Sequence, residues 1–427
     1  MLSLLLTAFV CAQDPRLDVV EGHVPGARLQ AVSVAVRGPV DEALCRYREA
    51  TAARVLPEGA SHGLEVLHGG LAVFRAEFPV EGAPATATAW VAALLGDGAG
   101  FDADRAELAI GRAALAADDR RVQQPGSVLH TLLLQQLLPG APAGAQGWLP
   151  DPVAVAALDP RALAARRLPA ERMALAWVGG APLPAELQHQ ALLARLRLPA
   201  AVAVEPLGEL PAAAEPVRAV HPQVRGVFAC VAVRMPGRAS PDLALGIEVL
   251  RTRAQQQFQR YRGGEDRALA PFVAWSWGAA DPVLRLHRRG PSLADEGFGR
   301  AQLPAKGADD EQLPLRELDE LLASLRQRPP TARELQGAVR MLQFEYALPP
   351  WNPSLQQSLV EVPEALRIRA RAMALATVQG ITGADLEGLA SATPESVAAA
   401  LLPLLDPARC WRCVLVPVAR PAAAQAR

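Results

Sequence analysis

The sequence predicts an α+β fold built from two homologous α/β sandwich lobes, each a mostly antiparallel sheet packed with helices. Three observations carry that reading. The alternating run Ser33-Val-Ala-Val-Arg37 recurs as Cys230-Val-Ala-Val-Arg234, and each copy is followed by a Gly/Pro turn and a helix-like stretch. Both halves also close alike, with a helix-like stretch (160–168 and 393–405) leading into an apolar strand (173–178 and 414–418). Within each half strands come first, helices follow and a strand returns, the order of sheets covered by packed helices.

Residues 1–12 form an apolar run, Met-Leu-Ser-Leu-Leu-Leu-Thr-Ala-Phe-Val-Cys-Ala, that ends in Val10-x-Ala12. It reads as a signal peptide, which places the protein outside the cytoplasm, in the periplasm of a bacterium. The first lobe spans 28–197, with helical periodicity over 104–117 and 127–138. Residues 198–216 are rich in Ala and Pro without period and read as a linker. The second lobe spans 217–420, with helices expected over 241–261, 315–327, 331–346 and 364–377. Thr393 followed by Pro394 has the pattern of an N-cap with proline in the first helical position. No later stretch has the roughly 20 uninterrupted apolar residues of a membrane-spanning helix.

Composition narrows the function. A chain of 427 residues has room for two or three domains, and with 51% hydrophobic residues it can build sizeable cores. Aromatics are only 4%, so aliphatic side chains and alanine must do most of the packing. A net charge of −1 offers no electrostatic footprint for nucleic acid or an acidic membrane. The cysteines are Cys11, Cys45, Cys230, Cys410 and Cys413. Cys410-Trp-Arg-Cys413 has redox-motif spacing, but it opens the apolar run Cys413-Val-Leu-Val-Pro417. On a strand, residues three apart point to opposite faces, so these cysteines read as structural.

The chemical signal is Ser61-His62-Gly-Leu-Glu65-Val66-Leu-His68-Gly-Gly70. In an inverted zinc motif, His-x-x-Glu-His, positions i, i+3 and i+4 share one helical face, so two imidazoles hold a metal and the glutamate activates water. His62 and Glu65 have this spacing, but the fifth position is Val66, which has no lone pair to offer. His68 is six residues on and would face elsewhere on a helix.

The surrounding order resembles the insulinase (pitrilysin) family of zinc peptidases, in its processing-peptidase branch. Gly59-Ala-Ser-His62-Gly-Leu-Glu65-Val66 stands where that family has a strand and loop leading into a Gly-x-x-His-x-x-Glu-His helix. Asp104-Arg105 to Asp118-Asp119 is similar to its following helix, residues 158–179 to its lobe closure, and 231–250 with Thr331-Ala-Arg-Glu334-Leu335 to its second lobe. The resemblance covers about residues 28–419. It implies His62 as a surviving metal ligand, Glu65 as the relic of the catalytic glutamate, and Arg260 or Arg262 as the substrate-holding arginine. The tyrosine that accompanies that arginine falls near Ala270-Pro271, which have no hydroxyl.

The departures from the family are as informative. The second histidine is Val66. The helix expected to supply the third ligand reads Leu108-Ala-Ile-Gly-Arg-Ala-Ala-Leu115, without a carboxylate, and Glu107 lies a turn too early. Catalytic zinc takes three protein ligands and a water. The resemblance therefore implies no cofactor and a non-catalytic subunit that encloses extended peptides beside an active family partner. Two alternatives stand. One is a rewired zinc endopeptidase using His68, Glu107 or a partner residue. The other is a peptide-binding protein that uses the cleft between the lobes.

Overall fold

The structure, a computed structural model, describes residues 17–38, 41–67, 71–96, 101–123, 151–168, 171–195, 216–221, 226–235, 239–262, 272–275, 277, 283–292, 311–346, 351, 353–362 and 364–417. The expected signal peptide, the helix over 127–138, almost all of the 198–216 linker, His68 and the Ala270-Pro271 position lie outside them. The first half contains strands β1 (Leu17–His23), β2 (Leu29–Arg37), β3 (Ser61–Leu67), β4 (Leu71–Pro79) and β5 (Arg172–Gly179). Its helices are α1 (Glu42–Ala52), α2 (Ala83–Leu95), α3 (Ala103–Gln123), α4 (Pro152–Ala156), α5 (Pro160–Ala165) and α6 (His189–Arg195). The second half contains β6 (Val217–His221), β7 (Gly226–Arg234), β8 (Phe272–Ala274), β9 (Val283–Ser292) and β10 (Cys410–Pro417). Between them run α7 (Pro241–Arg262), α8 (Leu313–Gln327), α9 (Ala332–Glu345), α10 (Pro353–Glu361), α11 (Ala365–Val378), α12 (Gly383–Ser391) and α13 (Pro394–Leu401).

The two sheets have one topology. Their strand orders are β1-β5-β2-β4-β3 and β6-β10-β7-β9-β8. In each, the first strand pairs parallel with the last and the remaining pairs are antiparallel. The repeated pentapeptide falls at equivalent places, on the central strands β2 and β7. Ser33 lies between Ala176 and Arg75, and Cys230 between Cys413 and His287.

Sheet alternation sorts the cores. Val32, Val34 and Val36 of β2 join Phe74, Met173, Leu175 and Trp177 beneath α2. In the second half Val231, Val233, Val414 and Val416 pack with leucines of α8 and α13. Trp275 and Trp277 are buried in this same core and follow the short strand β8. Cys410 also belongs to it, whereas Cys413 turns to the opposite face, as strand alternation requires.

The helix start at Thr393 forms as expected. Its hydroxyl accepts from the Ser396 amide, and Pro394 occupies the first turn. Thr331 forms a second capping box with Glu334, which is also held by Arg253 at 2.7 Å. The bond from Arg253 is the largest cause drawing the Glu334 pKa from 4.5 down to about 2. A carboxylate depressed in the folded state contributes stability above its unfolded pKa, and that contribution is lost as pH falls through the folded value. Between about pH 4.5 and 2, wild-type protein will therefore lose more stability than Glu334→Gln, as compared by urea midpoints across that range.

The second half does not fold on itself alone. Helices α10 and α11 come from it in sequence, yet they cover the free face of the first sheet. Leu366, Ala370, Met373 and Ala374 of α11 pack with Ala31, Ala35, Val73, Ala174 and Ala176. Trp351 lies against Gly22 of β1, where an added Cβ would sit 2.2 Å from the indole. The small residues on this face admit a helix at close range, which explains much of the alanine content of β2 and β5.

Candidate functional site

The segment with metal-motif spacing is a strand. Ser61–Leu67 forms β3 at the edge of the first sheet, with His62 opposite Ala76 and Glu65 opposite Val73. The helical reading is corrected by two facts within the segment and one from the next strand. Gly63 weakens a helix, Val66 favours a pleated surface, and β4 offers a complete ladder of partners. Once the period is two rather than 3.6, His62 and Glu65 point to opposite sides of the sheet. They cannot hold one ion, and the relic metal–glutamate pair does not exist as a site.

Each side chain has a different partner. His62 Nδ1 lies 2.6 Å from Glu49 Oε1, on the side of α1. On the other side Arg371 of α11 grips Glu65 with two bonds of 2.6 Å, from Nε and Nη2. The Arg371 bonds hold the Glu65 carboxyl below its ordinary range. A carboxylate so stabilised is a poor proton acceptor, the reverse of what a general base near neutral pH needs. Nearby, Arg367 donates to the Ser61 hydroxyl at 3.3 Å. Arg367 and Arg371, one turn apart on α11, therefore fasten β3 to a helix from the other half of the chain.

The helix that follows β2 is α1, which packs beside α3. It contains no histidine. Cys45, Arg48 and Glu49 fill positions i, i+3 and i+4. Cys45 is buried, and burial pushes its thiol pKa far above the ordinary value, so it stays protonated. Arg48 is 4% exposed. Its guanidinium stacks 5.6 Å from the Tyr47 ring centroid and donates to the carbonyls of Ala164, at 3.0 Å, and Arg166. Asp41 caps α1 and pairs with Arg166 at 2.5 Å, so the end of α5 is tied to both ends of this turn.

The facing helix supplies no ligand either. Helix α3 packs on α1 through Ala106, Ala109, Ile110 and Ala113, while Glu107 is exposed. Arg105 of α3 donates to the Ala50 carbonyl at 2.8 Å and pairs with Asp102 at 2.7 Å, a structural tie between the helices. Zinc does not fit here. A fixed guanidinium cation occupies the helical face that would present a ligand, and the thiol beside it is protonated. Among the described residues no three His, Cys, Asp or Glu side chains are grouped to hold a metal ion.

Arg260 and Arg262 lie in the last turn of α7, and their side chains fall outside the described residues. Sequence reasoning missed Arg371 and Arg367. Their signal was legible: Arg367-Ile-Arg369-Ala-Arg371 places three cations in a helix that is otherwise apolar. What the assembled site offers is a strand edge. Among the described residues β3 pairs only with β4, so its outer backbone groups face away from the sheet.

No protein-family profile and no curated protein matches the sequence. Solved structures do. The inactive domain of a peptidase M16 from Pseudomonas fluorescens matches with a TM-score of 0.66 at 16% identity, over 96% of this chain and 98% of that one. Pitrilysin matches with a TM-score of 0.54 at 15% identity, over 94% of this chain and 44% of its own. The periplasmic protease PqqL from Escherichia coli matches with a TM-score of 0.59 at 12% identity, over 95% of this chain and 45% of its own. This chain thus has the two-lobed fold of those proteins, at about half the length of the last two.

Proposed function

We propose that this chain is a non-catalytic member of the insulinase-type peptidases, one that forms a wall of a peptide-enclosing chamber beside an active subunit. One observation carries the reading: the segment with the motif spacing is the strand β3, with His62 and Glu65 on opposite faces, and on the neighbouring helix α1 Arg48 is a buried cation bolted to two carbonyls. Restoring a metal there would require more than adding a histidine, because the guanidinium, the protonated thiol and the alanine face of α3 would all have to change. The match to an inactive domain along nearly its whole length supports the same conclusion. Extended peptides would bind at the β3 edge through backbone hydrogen bonds, a mode that needs no catalytic side chain.

Affinity purification from the native host tests this. It should recover a second protein with an intact His-x-x-Glu-His motif, and peptidase activity should need that protein's glutamate while ignoring Glu65→Gln here. A chain that purifies alone and cleaves unfolded peptides in a Glu65-dependent way would overturn the proposal. Elemental analysis after desalting should find well under one zinc per chain. Export belongs to the same reading: the apolar leader predicts a mature chain beginning near Gln13, in the periplasm where one structural neighbour resides. N-terminal sequencing of protein from the host checks it, and an intact Met1 on cytosolic protein would contradict it.

A further inference from the structure

We propose that Cys230 and Cys413 are a disulfide-forming pair that links the central strand of the second sheet to the chain's last strand. The register makes them direct cross-strand partners in the antiparallel ladder of β7 and β10. Directly opposed residues in such a ladder have Cα atoms roughly 4.5 or 5.5 Å apart. Both values fall within the window of about 4.4–6.8 Å that a disulfide spans. Opposed residues also send their side chains to the same face, which puts both sulfurs on one side of the sheet.

The choice of partner is decided by alternation. Cys410 lies on the same strand as Cys413 but faces the other way, into the core with Val233, Val414 and Val416. Cys45 sits in the first half, packed with Val32 and Phe74. Among the four described cysteines only Cys413 is opposed to Cys230. The row continues on the far side of Cys230 to His287. His287 is partly buried, and desolvation with the neighbouring Arg285 draws its pKa down to about 3, so the imidazole is neutral. No three metal-binding side chains are grouped there among the described residues.

Both thiols are fully buried in the reduced structure, and burial raises both pKa values, that of Cys413 to about 11. The folded dithiol is therefore slow to react, because the thiolate is the attacking species. Bond formation belongs to folding, while the strands are coming together. The oxidant is a soluble disulfide such as oxidised glutathione. One cysteine thiolate attacks it and releases one glutathione thiol. The second cysteine thiolate then displaces the other glutathione from the mixed disulfide. Two protein thiols are oxidised and one glutathione disulfide is reduced to two thiols, with the two protons passing to the released glutathiones. This inference does not depend on the chain having a peptidase partner.

The test is refolding of the full chain in a mixture of reduced and oxidised glutathione, followed by acid quench, alkylation and tryptic mapping. Cleavage after Arg412 separates Cys410 from Cys413, and cleavage after Arg225 and Arg234 isolates Cys230, so the link can be read without ambiguity. We expect the Cys230 peptide joined to the Cys413 peptide, with Cys45 and Cys410 alkylated. Cys410→Ala should keep the linked peptide and Cys413→Ala should abolish it. Full alkylation of Cys230 and Cys413 in wild-type protein refolded under these conditions, or a link from Cys230 to Cys410, would overturn the assignment. Because the wild-type map alone decides, a variant that fails to fold leaves the result intact.

Discussion

Replacing Trp351 by alanine will destabilise the protein by about 3–5 kcal/mol, the range for deleting a large buried aromatic side chain. Trp351 is 8% exposed and lies in the core that α10 and α11 build on the free face of the first sheet. The residue beneath it is Gly22 of β1, where any Cβ would stand 2.2 Å from the indole Cη2. An indole is rigid and its neighbours Leu359 and Leu366 are buried, so it has no easy way to yield. Gly22→Ala should therefore cost about 1–3 kcal/mol by overpacking. The double variant should cost less than the sum, because Trp351→Ala removes the indole that the added Cβ meets. Urea denaturation of the four proteins checks the cycle. Strict additivity would mean that Trp351 does not press on β1.

Arg48→Ala will cost about 2–4 kcal/mol, because two carbonyls at the end of α5 lose a charged donor and the buried face of α1 is left with a gap. Arg48→Met, which keeps most of the volume, separates the two causes: it should recover the packing share and leave the hydrogen-bond share lost. The readout is the urea midpoint at unchanged slope. Neither variant should gain zinc, since deleting the cation supplies no ligand. A cost below about 1 kcal/mol for Arg48→Ala would show that solvent replaces the guanidinium at those carbonyls.

Much of the fold was legible because it depends on local chemistry. The pentapeptide repeat at Ser33 and Cys230 marks the two central strands, and strand alternation alone places Cys410 and Cys413 on opposite faces. The Thr393-Pro394 helix start is written in two residues and formed as read. The site was less legible for a specific reason. A histidine and a glutamate three apart share a face only on a helix, and the segment 61–67 has no strong preference of its own. Its state was decided by β4, which supplied a ladder of partners.

The sequence by itself determined the duplicated α+β plan, the strand alternation that sorts the cysteines, and the lack of a second histidine at Val66. Only the tertiary structure decided that 61–67 is a strand, that His62 meets Glu49 of α1, and that Glu65 answers to Arg371, 306 residues away. It also decided that α11 leaves its own half to cover the first sheet. These outcomes share a physical cause. Local propensities set which segments can form a helix or a strand. Which face of which sheet a helix must bury depends on where apolar surface is still exposed once the strands have paired, and no window of sequence contains that information.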